Sequence, residues 1–266
     1  MSLKLLMRIE GQSYRLIMEG LVQGVGFRPF LYQFAQAHQL QGWVMNTGGG
    51  LTMEIHGIDR ASLDLLVTSM RHGMPGGARL DRIVIEETMG QKVQGFAIRD
   101  SQAQDITTSI PLDMAPCSDC LAELMDPHNR RYQYPFISCS SCGPRFTILD
   151  RLPFDRTNTT LIHFPLCRQC LQEYADVNDR RFHAQTISCP ACGPVLTFQY
   201  PWQQASGTGK EALDKAAALL REGGILALKG VGGYQLAALA SDSRAIATLR
   251  NRKKRPEKPL AVMFPD

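Results

Sequence analysis

No apolar run in the 266-residue chain approaches the ~18 residues that a membrane span needs, and residues 1–8 hold too short an apolar stretch for a secretory leader. No membrane partner is expected, and the expected compartment is the cytoplasm. Charge of one sign is also scarce: 29 Lys and Arg against 25 Asp and Glu leave +4. That admits anionic ligands without requiring nucleic acid. Glycine (23) and proline (15) are too few for a collagen-like or low-complexity chain, and 44% apolar against 20% charged residues excludes disorder throughout. At ~100–200 residues per domain, the length implies two units or a little more.

Unpaired cysteine is absent too. All eight cysteines fall in four C-x-x-C pairs: Cys117/Cys120, Cys139/Cys142, Cys167/Cys170 and Cys189/Cys192. In a reducing compartment such pairs bind metal or do redox chemistry more often than they form disulfides. The first four recur as the second four 50 residues later, and 14 of the 31 positions in 117–147 are identical to their partners, which marks two copies of one unit. The shared positions include Glu123/Glu173, Arg130-Arg131/Arg180-Arg181 and Gly143-Pro144/Gly193-Pro194. Each copy reads C-x2-C-x18-C-x2-C. Four soft thiolates at ~2.3 Å suit tetrahedral Zn²⁺ and leave no open position, so two structural zinc ions are expected. Redox-active C-x-x-C is the alternative, and the spacing leaves open whether each ion draws its knuckles from one copy or from both.

Ahead of the cysteines, strand and helix signals alternate. Strands are predicted over 14–19, 42–46, 51–56 and 82–86, with a further edge strand over 95–99; helices are predicted over 29–38 and 61–70. The order is βαββαβ, a split-βαβ sandwich of the ferredoxin-like kind, and the class is α+β multidomain. Between the first strand and helix lies Gln23-Gly24-Val25-Gly26-Phe27-Arg28. It is either a tight glycine-rich turn or an anion cradle, in which successive N–H groups and a helix start meet phosphate and Arg28 adds a bidentate fork. Asn46 is either a hairpin residue or a side chain that positions a water.

Residues 101–116 and 200–209 lack periodicity and read as linkers. After them come a helix over 210–221, a strand over 225–229 that is buried by composition, a glycine-rich turn over 230–234, a helix over 242–250 and a strand over 260–264. About 60 residues with two strands and two helices are few for an independent domain. The expectation is a segment cut inside a larger domain. Ser206-Gly207-Thr208-Gly209-Lys210 lacks the G-x4-G-K-[ST] spacing of a Walker loop and is set aside.

The string Val22–Arg28 followed by Gly42-Trp43-Val44-Met45-Asn46 resembles the acylphosphatase signature. That resemblance implies a ferredoxin-like fold, Arg28 binding the phosphoryl group within the cradle of Gln23, Gly24, Val25, Gly26 and Phe27, and Asn46 orienting the attacking water. One departure is Gly26, where acylphosphatases usually carry a bulky residue. With the duplicated cysteine unit, Arg130-Arg131-Tyr132-Gln133-Tyr134-Pro135-Phe136 and Cys142-Gly143-Pro144-Arg145, the chain is similar to the HypF carbamoyltransferases of nickel–iron hydrogenase maturation.

This similarity implies an acylphosphatase-like domain over 12–100, two four-cysteine zinc fingers over 110–200 and the start of a YrdC-like nucleotide-binding domain over 205–266. The implied ligands are carbamoyl phosphate, two zinc ions and ATP with Mg²⁺, and the implied partner is HypE through its C-terminal cysteine. Lys229, Lys253 and Arg255 fall on the nucleotide-binding positions. Six basic residues lie between Arg250 and Lys258. They keep a second reading open, a zinc-stapled RNA- or protein-binding module with an idle first domain, although nucleic acid is not the expected partner.

Overall fold

The computed structural model describes residues 12–90, 93–103, 107–201, 206–230 and 232–264. The leader expectation at residues 1–8, part of each expected linker (104–106 and 202–205) and Val231 of the expected turn lie outside the described residues. The chain divides into two compact units, Met1–Pro194 and Val195–Asp266.

The first unit opens with β1 (Gln12–Leu21), α1 (Phe27–Ala37), β2 (Gln41–Thr47), β3 (Gly50–Ile58), α2 (Arg60–Gly73), β4 (Arg79–Thr88) and β5 (Phe96–Ile98). The sheet order is β4-β1-β3-β2-β5. The first four strands pair antiparallel and β5 runs parallel to β2. This is the predicted ferredoxin-like arrangement. Alternation along β1 sends Tyr14, Leu16 and Met18 into the core, where they meet the stripe Phe27, Leu31 and Ala35 of α1 and the stripe Leu63, Leu66 and Met70 of α2. Each such aliphatic side chain contributes about 1.5–3 kcal/mol on burial. The Asp59 carboxylate caps α2 by accepting from the Ser62 N–H at 2.9 Å.

Helix α1 begins at Phe27, before the predicted start at residue 29, because Gly26 takes a left-handed conformation (φ 77°) at the N-cap. Arg28 therefore lies in the first helical turn. The 101–116 stretch is no loose linker where it is described. The Gln102 N–H donates to the Asn46 carbonyl, Thr107 and Thr108 donate to Gly48, and Met114 exchanges two backbone bonds with Gly143. Its pairing is with strand ends and single loop residues, which leaves no periodic signature in sequence.

The cysteine region carries α3 (Ser118–Met125) and α4 (Arg168–Ala175), each starting just after the first cysteine of its copy. The second unit contains β6 (Thr197–Phe198), β7 (Gly207–Thr208), α5 (Gly209–Arg221), β8 (Leu226–Gly230), β9 (Gly233–Ala237) and α6 (Ser243–Lys253). Two expectations fail there. Strand β8 is mostly exposed rather than buried, because it pairs with β9 alone in a two-stranded ribbon. Residues 260–264 form no strand: among the described residues nothing pairs with them, and Val262, Met263 and Phe264 are exposed. No described helix is long and apolar enough to cross a membrane.

Gly42 in β2 has φ 145°, and a β-carbon there would overlap the Glu54 carbonyl of β3. Gly42→Ala is expected to cost about 1–3 kcal/mol, read as a fall of several degrees in the thermal midpoint. An unchanged midpoint would contradict the close β2–β3 approach.

Candidate active site and metal centres

The loop between β1 and α1 is held from both ends. The Gln23 amide donates to the Thr47 and Gly50 carbonyls, both at 2.6 Å, and accepts from the Phe154 N–H at 2.8 Å. Among the described residues, no acceptor is bonded to the backbone N–H groups of Gly24, Val25, Gly26, Phe27 and Arg28. Five consecutive free donors at a helix start can bind an anion through their partial charges. Asn46 on β2 faces the same space, and its Oδ1 is buried without a hydrogen-bond partner.

The cysteine region roofs this loop. The two parts line a partly open cavity of about 30 Å³, room for about two or three waters. Its walls are Gln23, Gly24, Gly26, Arg28 and Asn46 from the sandwich, with Ser140, Arg145, Phe154, His183, Gln185 and Thr186 from the cysteine region. The Arg28 guanidinium is 2.8 Å from the Asp155 carboxylate and donates to Ser101 Oγ at 3.1 Å. Burial, and then the Arg28 charge, push the His183 imidazole down to about 4, against the opposing pull of Asp155. It is neutral at pH 7. A β-carbon at Gly24 would lie 2.8 Å from Pro111, and one at Gly26 would lie 3.4 Å from the Ser140 carbonyl. The roof thus explains the small residue at 26, where a bulky side chain would run into the backbone of the Cys139–Cys142 knuckle.

Arg145 joins roof to cradle. Its side chain donates to the carbonyls of Gly24, Cys139, Ser140, Cys142 and Pro144, and its N–H donates to Asp113 at 2.7 Å. Burial lowers its pKa to about 10, opposed by the charges of Cys142, Cys139 and Asp113.

The eight cysteines gather as Cys117, Cys120, Cys139 and Cys142, and as Cys167, Cys170, Cys189 and Cys192, so each centre takes its knuckles from one copy. Sulfur pairs are 3.4 to 3.7 Å apart in the first and 3.6 to 3.8 Å in the second. A tetrahedron with ~2.3 Å Zn–S bonds has edges of about 3.8 Å. The donor sets therefore fit two zinc ions, and these distances are far too long for disulfides.

The repeated Arg-Arg pairs cross between copies. Arg130 and Arg131 bind Glu173 at 2.6 and 2.5 Å and reach Cys170 Sγ at 3.3 and 3.6 Å. Reciprocally, Arg180 and Arg181 bind Glu123 at 2.6 and 2.5 Å, and Arg180 reaches Cys120 Sγ at 3.2 Å. Burial works to raise the Glu173 carboxyl, but the two guanidinium groups outweigh it and hold it near 2. A zinc ion with four thiolates is doubly negative, and each copy supplies the cations that neutralise the other's centre.

Three family models cover the chain: Acylphosphatase at residues 14–98, HypF finger at 117–149 and 166–199, and the Sua5/YciO/YrdC model described as Telomere recombination at 218–266. Carbamoyltransferase HypF of Synechocystis sp. is 49% identical over 246 residues, which are 92% of this chain and 32% of that protein. The chain corresponds to the N-terminal region of the HypF carbamoyltransferases. Acylphosphatase of Bacillus licheniformis is 40% identical over 86 residues, 32% of this chain and 90% of that enzyme. A crystal structure of full-length HypF in the phosphate- and nucleotide-bound form superposes with TM-score 0.86 at 40% identity, over 96% of this chain and 33% of that one. The chain spans about a third of the length of the curated HypF relatives it matches.

The HypF resemblance also singled out Lys229, Lys253 and Arg255. Lys229 sits on β8, Lys253 ends α6, and Arg255 follows the left-handed C-cap Lys254. The basic run wraps around Arg250, whose guanidinium donates to the carbonyls of Arg255, Pro256 and Lys258. Sequence reasoning missed Asp155, Ser101, His183 and Thr186 at the cradle. Three of the four lie in or beside the second copy, and a break in the repeat was the available signal: His183, Gln185 and Thr186 stand where the first copy has Gln133, Pro135 and Phe136.

Native mass spectrometry of the purified chain is expected to show two zinc ions. One ion or none, with thiols titrating free in the folded protein, would contradict the two closed centres.

Proposed function

We propose that the cradle cleaves carbamoyl phosphate. The observation that carries this reading is a run of five acceptor-free amides that includes Arg28, four of whose residues line one small cavity together with Asn46, whose Oδ1 has no partner. In this reading the phosphoryl oxygens take the amides of residues 24–28, and Arg28 exchanges Asp155 for the phosphoryl group. Asn46 accepts a hydrogen bond from the attacking water. The water oxygen bonds to phosphorus, the bridging P–O bond breaks with its electron pair going to carbamate, and inorganic phosphate forms. Catalysis is positioning and electrostatic stabilisation, with no covalent protein intermediate.

Correspondence to the N-terminal region of HypF supports a larger sequence. Carbamate is activated with Mg²⁺-ATP as a carbamoyl adenylate, with Lys229, Lys253 and Arg255 contributing to nucleotide binding. The carbamoyl group then passes to the C-terminal cysteine of HypE, in the cytoplasm, where thiols stay reduced. This chain alone performs the hydrolytic step.

Arg28→Ala is expected to lower carbamoyl phosphate hydrolysis at least about 10²-fold while zinc content and cooperative melting are kept. Hydrolysis retained in that variant would overturn the assignment. Because His183 titrates near 4, the wild-type rate is expected to be flat between about pH 6 and 8. A lowered folded pKa means that stability from neutral His183 is full above the unfolded value of 6.5 and is lost as pH falls toward 4. A rate inflection near 6.5 would place His183 in water rather than in the roof.

A further inference from the structure

Thr186 is 2% exposed, and its hydroxyl has no hydrogen-bond partner. Among the described residues two side chains whose buried oxygens lack a partner line one cavity, Thr186 from the roof and Asn46 from the sandwich. A buried hydroxyl without a partner is costly and rare, and two such side chains on the wall of one cavity mark a place where a ligand can complete the bonding.

The loop holding Thr186 is fixed on both sides. Ser138 Oγ donates to the Thr186 carbonyl at 2.9 Å, and Arg156 donates to the carbonyls of the flanking residues Gln185 and Ile187 at 2.9 and 2.8 Å. The carbonyl is used and the hydroxyl is not. The equivalent position in the first copy is Phe136, which is exposed and lines no part of the cavity. The two copies thus share the residues that build the centres and differ where the second one meets the cradle.

We propose that Thr186 is a specificity-determining residue of the cradle, contributed by the second finger, and that its hydroxyl bonds the carbamoyl group of the substrate. A hydroxyl can accept from the carbamoyl NH₂ and donate to its carbonyl. An acetyl group of nearly the same size offers a methyl in place of the NH₂ and would leave the hydroxyl's acceptor side unpaired. Discrimination between isosteres by a buried polar group of this kind is large. The inference rests on the cradle reading given above, and the test separates the two.

The experiment measures kcat/KM of the whole chain for carbamoyl phosphate and for acetyl phosphate, in wild type, Thr186→Val, Thr186→Ser and Arg28→Ala. Thr186→Val is expected to lower the carbamoyl-to-acetyl ratio at least about tenfold, with Thr186→Ser staying within about threefold of wild type because it keeps the hydroxyl. The melting temperature of Thr186→Val should be equal or higher, since an unpartnered buried hydroxyl is replaced by a methyl of the same shape. An unchanged ratio overturns the proposal and leaves the cradle reading standing. Equal losses on both substrates with a lower melting temperature also overturn it, by giving Thr186 a structural role. A wild type that cleaves neither substrate, or hydrolysis that survives Arg28→Ala, overturns the cradle reading and this proposal together.

Discussion

The guanidinium of Arg145 is buried against five carbonyls, one of them on the cradle loop and four in the knuckle and strap of the first metal centre. A buried charge needs compensation, and here it comes from the thiolates of Cys142 and Cys139 and the carboxylate of Asp113. The chain of dependence therefore runs from the metal centre to Arg145 and from Arg145 to Gly24. Without the negative centre the guanidinium would be an uncompensated ion in the interior. The guanidinium clamps the cradle loop to its roof together with the Phe154–Gln23 bond and the Arg28–Asp155 pair.

The second centre serves the same end from the other side. The crossed Arg-Arg, Glu and thiolate contacts tie the two copies to each other, and Ser138 and Arg156 hold the carbonyls of residues 185–187. A duplicated small domain with few core residues gains this rigidity from metal and charge rather than from apolar burial. The result is a candidate anion site with walls from two parts: a sandwich that supplies free backbone donors and the Asn46 amide, and a finger pair that roofs them.

The sequence was informative where chemistry is local. Gln23–Arg28 had to be a turn into a helix because glycines at 24 and 26 precede a proline-started apolar stripe, and the cysteine spacing named its metal without reference to any fold. The positions of the sandwich strands followed from period-two patterning. Illegible were contacts made across 100 residues or more, such as Arg145 to Gly24, Phe154 to Gln23 and Arg28 to Asp155. No periodicity encodes these. They left a faint trace in departures from the repeat, Arg145 against Val195 and Thr186 against Phe136. The exposed β8 and the unpaired apolar stretch at 260–264 show the converse limit, since composition records a preference for burial and a strand still needs a partner to pair with.

The most direct measurement is a crystal structure of this chain grown with inorganic phosphate. The expected result places phosphate on the amides of residues 24–28 with Arg28 turned from Asp155 onto its oxygens, and the roof of Ser140, Arg145 and Thr186 closed above it. Phosphate bound elsewhere while the Arg28–Asp155 pair stays intact, or a cradle occupied with the finger region swung away, would contradict a site built jointly by the two parts.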